Sequence, residues 1–128
     1  MLLNLRREVS HKSLIIKLES AKRNRIQQLE KYLEKDPKEA FSNYALALEM
    51  VDIDDVKAEK LFDFLLDEHP DYTATYYHAA AFQTELGNVE RAQEIYEKGL
   101  EVLKSTNEAK ALQELQNAYQ NFLFEEDL

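Results

Sequence analysis

The sequence repeats itself with a period of 33 or 34 residues, and this period restricts the fold more than any other feature. Pro37 and Pro70 lie 33 residues apart, and Tyr44 returns as Tyr77. Residues of similar size also recur 34 positions apart, in the pairs Ala58 and Ala92, Phe62 and Tyr96, and Leu66 and Leu100. Small residues recur where two helices must approach closely, and large apolar residues recur where an interior must be filled. The period therefore predicts stacked copies of one small unit.

The residues between the repeated positions are typical of helices separated by tight turns. Residues 36–39 are typical of an N-cap at Asp36, a first-turn proline and a glutamate, Glu39, that reaches back to the cap, which predicts a helix that begins at Pro37. Gly87 offers the left-handed conformation that ends a helix. Residues 54–55 take the same place one repeat earlier without a glycine, so we expect a shorter or more strained turn there. Residues 105–108 predict a capping box.

Composition argues against most kinds of enzyme. A chain of 128 residues suits one domain. It has no cysteine and two glycines, which excludes disulfides, thiolate zinc sites and thiol nucleophiles and leaves no phosphate-binding glycine loop. The histidines His11, His69 and His78 form no metal-spaced pair. We therefore expect no catalytic residue, no metal and no cofactor, in a mostly helical cytoplasmic protein.

The charge is distributed unevenly along the chain. Residues 1–25 contain seven basic and two acidic side chains, a net charge of +5, whereas the remaining residues contain nine basic and 23 acidic side chains, a net charge of −14. A body this acidic repels phosphates, so we expect no nucleic acid partner. The basic start could still contact an anion or fold back on the acidic body. No apolar run is long enough to span a membrane.

The spacing resembles that of the tetratricopeptide repeat, whose 34-residue pattern is W-x2-L-G-x2-Y, then A-x3-F, then P. The clearest copy, residues 73–104, holds this spacing with Tyr76, Ala79, Ala80, Gln83, Gly87, Ala92 and Tyr96. Residues 40–71 form a second copy, with Ala58, Phe62 and Pro70 in its second helix. Residues 25–37 match a second helix alone. Lys104 stands where the final proline of the copy would be, so we expect the array to end after it.

The resemblance implies an all-α fold of antiparallel helix-turn-helix repeats, stacked into a right-handed superhelix. We expect a half-repeat at 25–37, repeats at 40–71 and 73–104, a capping helix at 107–123 and an acidic tail at 124–128. Residues 1–24 would be a packed helix, which we favour, a mobile basic arm, or an extension from a mis-assigned start.

Such an array has a concave face lined by its first helices, and the resemblance implies that this face binds a protein or peptide. The residues placed there are Phe41, Tyr44, Ala45, Leu48, Asp52, Ala74, Tyr77, His78, Ala81 and Glu85. Repeats that hold chaperone tails do so with cations, which these positions lack, so we expect no binding of a tail ending in Glu-Glu-Val-Asp. The expected function is a non-enzymatic adaptor or scaffold. The alternative is a structural protein that forms homo-oligomers through its terminal helices.

Overall fold

Six helices make up the part of the fold that the structure describes. The computed structural model describes the backbone of residues 2–128 and the side chains of residues 10–128. Within residues 2–128 the chain contains no strand, which confirms the all-α prediction. The helices are α1 (Leu2–Lys35), α2 (Ala40–Met50), α3 (Asp55–Glu68), α4 (Ala74–Glu85), α5 (Val89–Lys104) and α6 (Ala109–Glu125).

Consecutive helices pack as antiparallel neighbours because the turns between them are short. Two helical hairpins, α2 with α3 and α4 with α5, form the centre of the array, and α3 contacts α4 to join them. At one end α1 packs on α2, and at the other end α6 packs on α5 and also reaches α4. The result is a helical repeat array in which α2, α4 and α6 each take the place of the first helix of a helix-turn-helix repeat.

The repeated residues form the core between these helices. Ala58 and Ala92 are fully buried, and Phe62 and Tyr96 are buried one turn further along their helices. The two alanines allow close approach of neighbouring helices, while the two aromatic rings fill the space beside them. The 34-residue period therefore predicted these core positions correctly.

The start of α2 differs from the prediction. The helix begins at Ala40, three residues after Pro37, because the side chain of Glu39 acts as its N-cap. Its carboxylate accepts hydrogen bonds from the backbone N–H groups of Phe41, at 2.8 Å, and Ser42, at 2.7 Å. Hydrogen bonding from Ser42 also lowers the pKa of Glu39. The prediction of a helix start at Pro37 was wrong because the carboxylate that satisfies the free N–H groups lies two residues later.

Residues 105–108 do not form the predicted capping box. The hydroxyls of Ser105 and Thr106 donate to the carbonyl oxygens of Val102 and Leu103, at 2.8 and 2.7 Å, so they complete the end of α5. Glu108 precedes α6, and no side chain caps that helix. The prediction of a capping box was wrong because these hydroxyls bond to carbonyl groups at the end of α5 and not to N–H groups at the start of α6.

The turns between the paired helices use two left-handed residues. Gly87 has a φ of 81°, and its neighbour Asn88 donates its N–H to the carbonyl of Gln83 at 2.9 Å. In the equivalent turn, Asp52 has a φ of 69°, a conformation that side chains rarely adopt. The carboxylate of Asp55 accepts the N–H of Asp52 at 2.9 Å. This strained turn agrees with the expectation for a turn without glycine.

The first helix continues through the expected boundary between residues 24 and 25. Its second half packs on the core through Ile26, Leu29 and Leu33. Every described side chain from residue 10 to residue 21 is exposed, so this part of α1 is helical but extends beyond the packed array. At the other terminus, α6 ends at Glu125, which places the first two residues of the expected tail inside the helix.

Candidate partner-binding groove

Two neighbouring cavities open on the side of the array formed by the first helices. The first, of about 450 Å³, is lined by Leu48, Val51, Asp52, Asp55, Phe62, His78, Ala81, Phe82, Glu85 and Leu86. The second, of about 340 Å³, is lined by Tyr44, Thr73, Ala74, Tyr77, His78, Leu103, Glu108, Ala111, Glu114 and Leu115. Because His78 lines both, we treat them as one surface, which we call the groove.

Most of the residues expected on the concave face lie in this groove. The residues in the first cavity are Leu48, Asp52, His78, Ala81 and Glu85. Tyr44, Ala74 and Tyr77 are in the second. Phe41 and Ala45 line neither cavity, and Phe41 is 60% exposed on the first turn of α2. Whether any of these residues contacts a partner stays a prediction.

Aromatic rings form the centre of the groove. The ring of His78 lies edge-on to Tyr77 at 5.3 Å and to Tyr44 at 5.8 Å, measured between ring centroids. Tyr44 in turn contacts Tyr72 at 5.4 Å, also edge-on. Two causes raise the pKa of Tyr44: burial of its hydroxyl, which has the larger effect, and the charge of the neighbouring Tyr72, which has the smaller one. Edge-to-face packing holds such rings in a defined geometry, so the groove has a preformed aromatic wall.

The groove is acidic. Asp52, Asp55 and Glu85 lie around the first cavity, and Glu108 and Glu114 lie around the second. Among the described residues that line the two cavities, there is no lysine or arginine. A bound segment would therefore meet negative charge at both ends of the aromatic wall.

Sequence and structure comparisons identify the family. A family model described as tetratricopeptide repeat matches residues 56–116. The solution structure of a tetratricopeptide repeat domain protein from Salinibacter ruber is 35% identical, with a TM-score of 0.67. The match covers 72% of this chain and 94% of that one. This chain belongs to the tetratricopeptide repeat (TPR) family.

Further solved structures have the same fold. A crystal structure of a TPR domain protein from Salinibacter ruber is 34% identical, with a TM-score of 0.61, over 66% of this chain and 96% of that one. The first TPR of Spaghetti, bound to an HSP90 peptide, is 23% identical with a TM-score of 0.58, over 75% and 77% of the two chains. No curated protein sequence matches this chain. The TPR fold is in general a non-enzymatic protein-interaction fold.

The last helix contributes a side of the groove that sequence reasoning missed. Glu108, Ala111, Glu114 and Leu115 of the α6 region all line the second cavity. A signal for this was present, because Leu112, Leu115 and Tyr119 fit the W, L and Y places of the TPR pattern when two residues are inserted near Ser105. This makes α6 a further first helix, and first helices line the concave face. The expected site residues all belong to the two complete TPR copies.

Two further features are absent from the described part of the chain. Among those residues, no three histidine, aspartate or glutamate side chains come together as a metal ligand set. No helix there is both long enough and apolar enough to cross a bilayer.

Partial burial of His78 makes the stability of this TPR array depend on pH. Burial lowers the pKa of His78 below its usual 6.5. As the pH falls below 6.5, His78 becomes protonated in the unfolded chain but stays neutral in the folded chain. The free energy of unfolding therefore falls until the pH reaches the lowered pKa of the folded chain. We expect the wild type to lose more stability than His78→Gln between about pH 7.5 and about pH 5.5 in urea unfolding. Equal losses for the two chains would contradict this assignment.

Proposed function

We propose that this TPR protein is a non-enzymatic adaptor that binds an extended or helical segment of a partner protein in the groove. The observation that supports this most directly is the pair of cavities that meet at His78, with aromatic rings between them and carboxylates around both. A preformed concave surface with apolar and charged parts is the usual setting for peptide recognition.

The chemistry of the groove indicates what such a segment would contain. Phe62 and Phe82, whose ring centroids are 5.4 Å apart, form an apolar base for the first cavity. An aliphatic or aromatic side chain of the partner would fill this cavity and would supply most of the binding energy. Glu85 and Glu114 would pair with lysine or arginine side chains of the partner. The proposed ligand is therefore a basic segment with apolar anchors.

The same chemistry argues against an acidic ligand. The first TPR of Spaghetti is solved with an HSP90 peptide of sequence SRMEEVD. In this chain, the carboxylates of such a peptide would face Asp52, Glu85 and Glu114 without a cation from the groove to pair with. Bringing like charges together costs several kcal/mol at an interface, so we expect no binding of this peptide.

The remaining parts of the proposal follow from the same features. The acidic groove supports a protein ligand over nucleic acid, since phosphates would be repelled. We also propose a location in the cytoplasm, since a chain without cysteine needs no oxidising compartment in which to form disulfides. No cofactor is part of the proposed function.

Selection from a displayed random peptide library tests the proposal without knowledge of the partner. We expect the whole chain to enrich peptides that combine lysine or arginine with large apolar residues. The double substitution Glu85→Lys/Glu114→Lys should weaken the best peptide at least about tenfold, measured by fluorescence anisotropy. Tyr77→Ser should do the same, and Tyr77 is 46% exposed, so this change leaves the fold intact.

Two controls make the result specific to the groove. Asp67→Lys/Glu94→Lys makes the same change in charge at exposed positions on α3 and α5, outside both cavities, and should leave the affinity unchanged. The SRMEEVD peptide should show no binding at concentrations that saturate the best peptide. If no peptide is enriched, or if the enriched peptides bind the groove variants as well as the wild type, the proposal is wrong.

A further inference from the structure

The apolar stripe that packs α1 on the core continues beyond the core. Ile26, Leu29 and Leu33 of this stripe contact the packed helices. Lys22 occupies the next turn of this face, and beyond it Leu18, two turns from Ile26, and then Leu14 and Ile15 carry apolar side chains on the same face towards the N-terminus. Leu14 is 54% exposed and Leu18 is 61% exposed. Exposed apolar patches mark interaction sites, so the bare end of the stripe is a candidate surface for a further contact.

The bare stripe has the opposite charge to the groove. Lys12 and Lys17 are exposed and lie on either side of the stripe, with one exposed carboxylate, Glu19, on the same side as Lys12. The first 25 residues together have a net charge of +5. The groove presents five carboxylates, from Asp52, Asp55, Glu85, Glu108 and Glu114. The stripe thus combines apolar anchors with basic flanks, the chemistry that the groove favours. Two stripes placed side by side would instead bring like charges together.

The stripe is unable to reach the groove of its own chain. Lys22 and Arg25 hold α1 against Glu49 of α2, at 3.8 and 2.8 Å. The helix continues without interruption from Leu2 to Lys35 and contains no glycine or proline at which it would bend back. At a rise of about 1.5 Å per residue, residues 10–21 extend roughly 18 Å past this anchor.

We propose that the N-terminal part of α1 of one copy docks in the groove of a second copy of this chain. Leu14, Ile15 and Leu18 enter the cavities, and the flanking lysines face the carboxylates. This inference rests on the proposed function, because it names a second copy as a ligand of that same groove. Since the two surfaces that meet are different, the contact is heterologous and builds open chains or closed rings rather than a two-fold dimer.

A complementation experiment with two variants tests this arrangement. Leu14→Glu/Leu18→Glu disables the stripe but keeps the groove, and Glu85→Lys/Glu114→Lys disables the groove but keeps the stripe. All four positions are exposed, so both variants fold. By sedimentation equilibrium, we expect the average mass of the wild type to rise with concentration through dimers to larger species. Each variant alone should associate about thirtyfold more weakly or worse.

The mixture of the two variants distinguishes this proposal from other modes of association. An equimolar mixture should form a heterodimer of two chains and nothing larger, because it contains one intact stripe and one intact groove per pair. Ile16→Glu, on the opposite side of α1, and Asp67→Lys/Glu94→Lys, outside the groove, serve as matched controls and should associate like the wild type. Added salt should weaken the association.

Three results would overturn the proposal. If the groove variant alone associates like the wild type, the stripes pair with each other in an isologous dimer. If the mixture fails to form the heterodimer, the two surfaces are not partners. If the wild type stays monomeric at every concentration, the stripe belongs to a different partner. In that last case, a library peptide that still binds the groove leaves the proposed function standing, whereas the lack of any such peptide removes both.

Discussion

Replacing Phe62 with alanine should lower the free energy of unfolding by about 4 kcal/mol. Phe62 is 1% exposed, and its ring packs against that of Phe82 with centroids 5.4 Å apart. It also sits at the aromatic position of the repeat, between the two helical hairpins. The substitution removes the transfer energy of a whole ring and leaves a void that the surrounding backbone is too tightly packed to close.

Chemical denaturation of the wild type and Phe62→Ala measures this loss directly. Phe124→Ala is the matched control, because the same side chain is removed at a position that is 86% exposed, and we expect a change within about 0.5 kcal/mol. A loss below about 1 kcal/mol for Phe62→Ala would show that the repeat position is not part of a close-packed core. Because Phe62 also lines the first cavity, this variant should lose its groove ligand even at temperatures where it remains folded.

Replacing Gly99 with valine should lower the free energy of unfolding by about 3 kcal/mol. A Cβ atom at this position would lie 2.7 Å from Cδ2 of Leu115 and 2.7 Å from both Cβ and Cγ of Tyr76. These atoms belong to α6 and α4, so α5 would have to move away from both neighbours at once. Tyr76 is also held at its other end, where its hydroxyl donates to the carbonyl of Pro70 at 2.7 Å.

Thermal and urea unfolding of Gly99→Val, with Lys98→Val as its control, separates the clash from helix propensity. Lys98 is the preceding residue of the same helix and is exposed, so its replacement introduces the same β-branched side chain without a neighbour to displace. We expect that variant to lose less than about 1 kcal/mol. If the two valine variants are equally stable, the close approach of α5 to Tyr76 does not limit the packing.

The fold was predictable because it repeats. Equivalent buried positions are occupied by Ala58 and Ala92, and likewise by Phe62 and Tyr96. A pattern that occurs twice at a fixed spacing is much less easily explained by chance than one that occurs once. Gly99 illustrates the limit of this reasoning. It takes the repeat place of Leu65, which is also fully buried, yet it must be small because Tyr76 and Leu115 fill the space beside it. Whether an equivalent core position holds a large or a small side chain depends on the neighbouring helices, and the repeat period does not show which neighbours those are.

Helix ends were less predictable than helix existence. Glu39 and Ser105 are polar residues near a helix boundary, and several such residues compete for the same free backbone groups. The sequence favoured Asp36 as a cap and Ser105 as a start, whereas the structure uses the Glu39 carboxylate and turns the Ser105 hydroxyl back to Val102. Local patterns leave such choices open because each one differs from its alternative by a single hydrogen bond.

The sequence by itself determined the class of this protein, an all-α TPR array with an acidic body and a basic first helix, because period, composition and charge are properties of the chain. Only the tertiary structure decided that α6 completes the groove and that His78 lies between two cavities. It also decided that residues 10–21 of α1 extend beyond the packed array. The physical reason is that a groove, a cavity and an unpartnered face exist only between helices, and their geometry depends on how closely the side chains of different repeats pack.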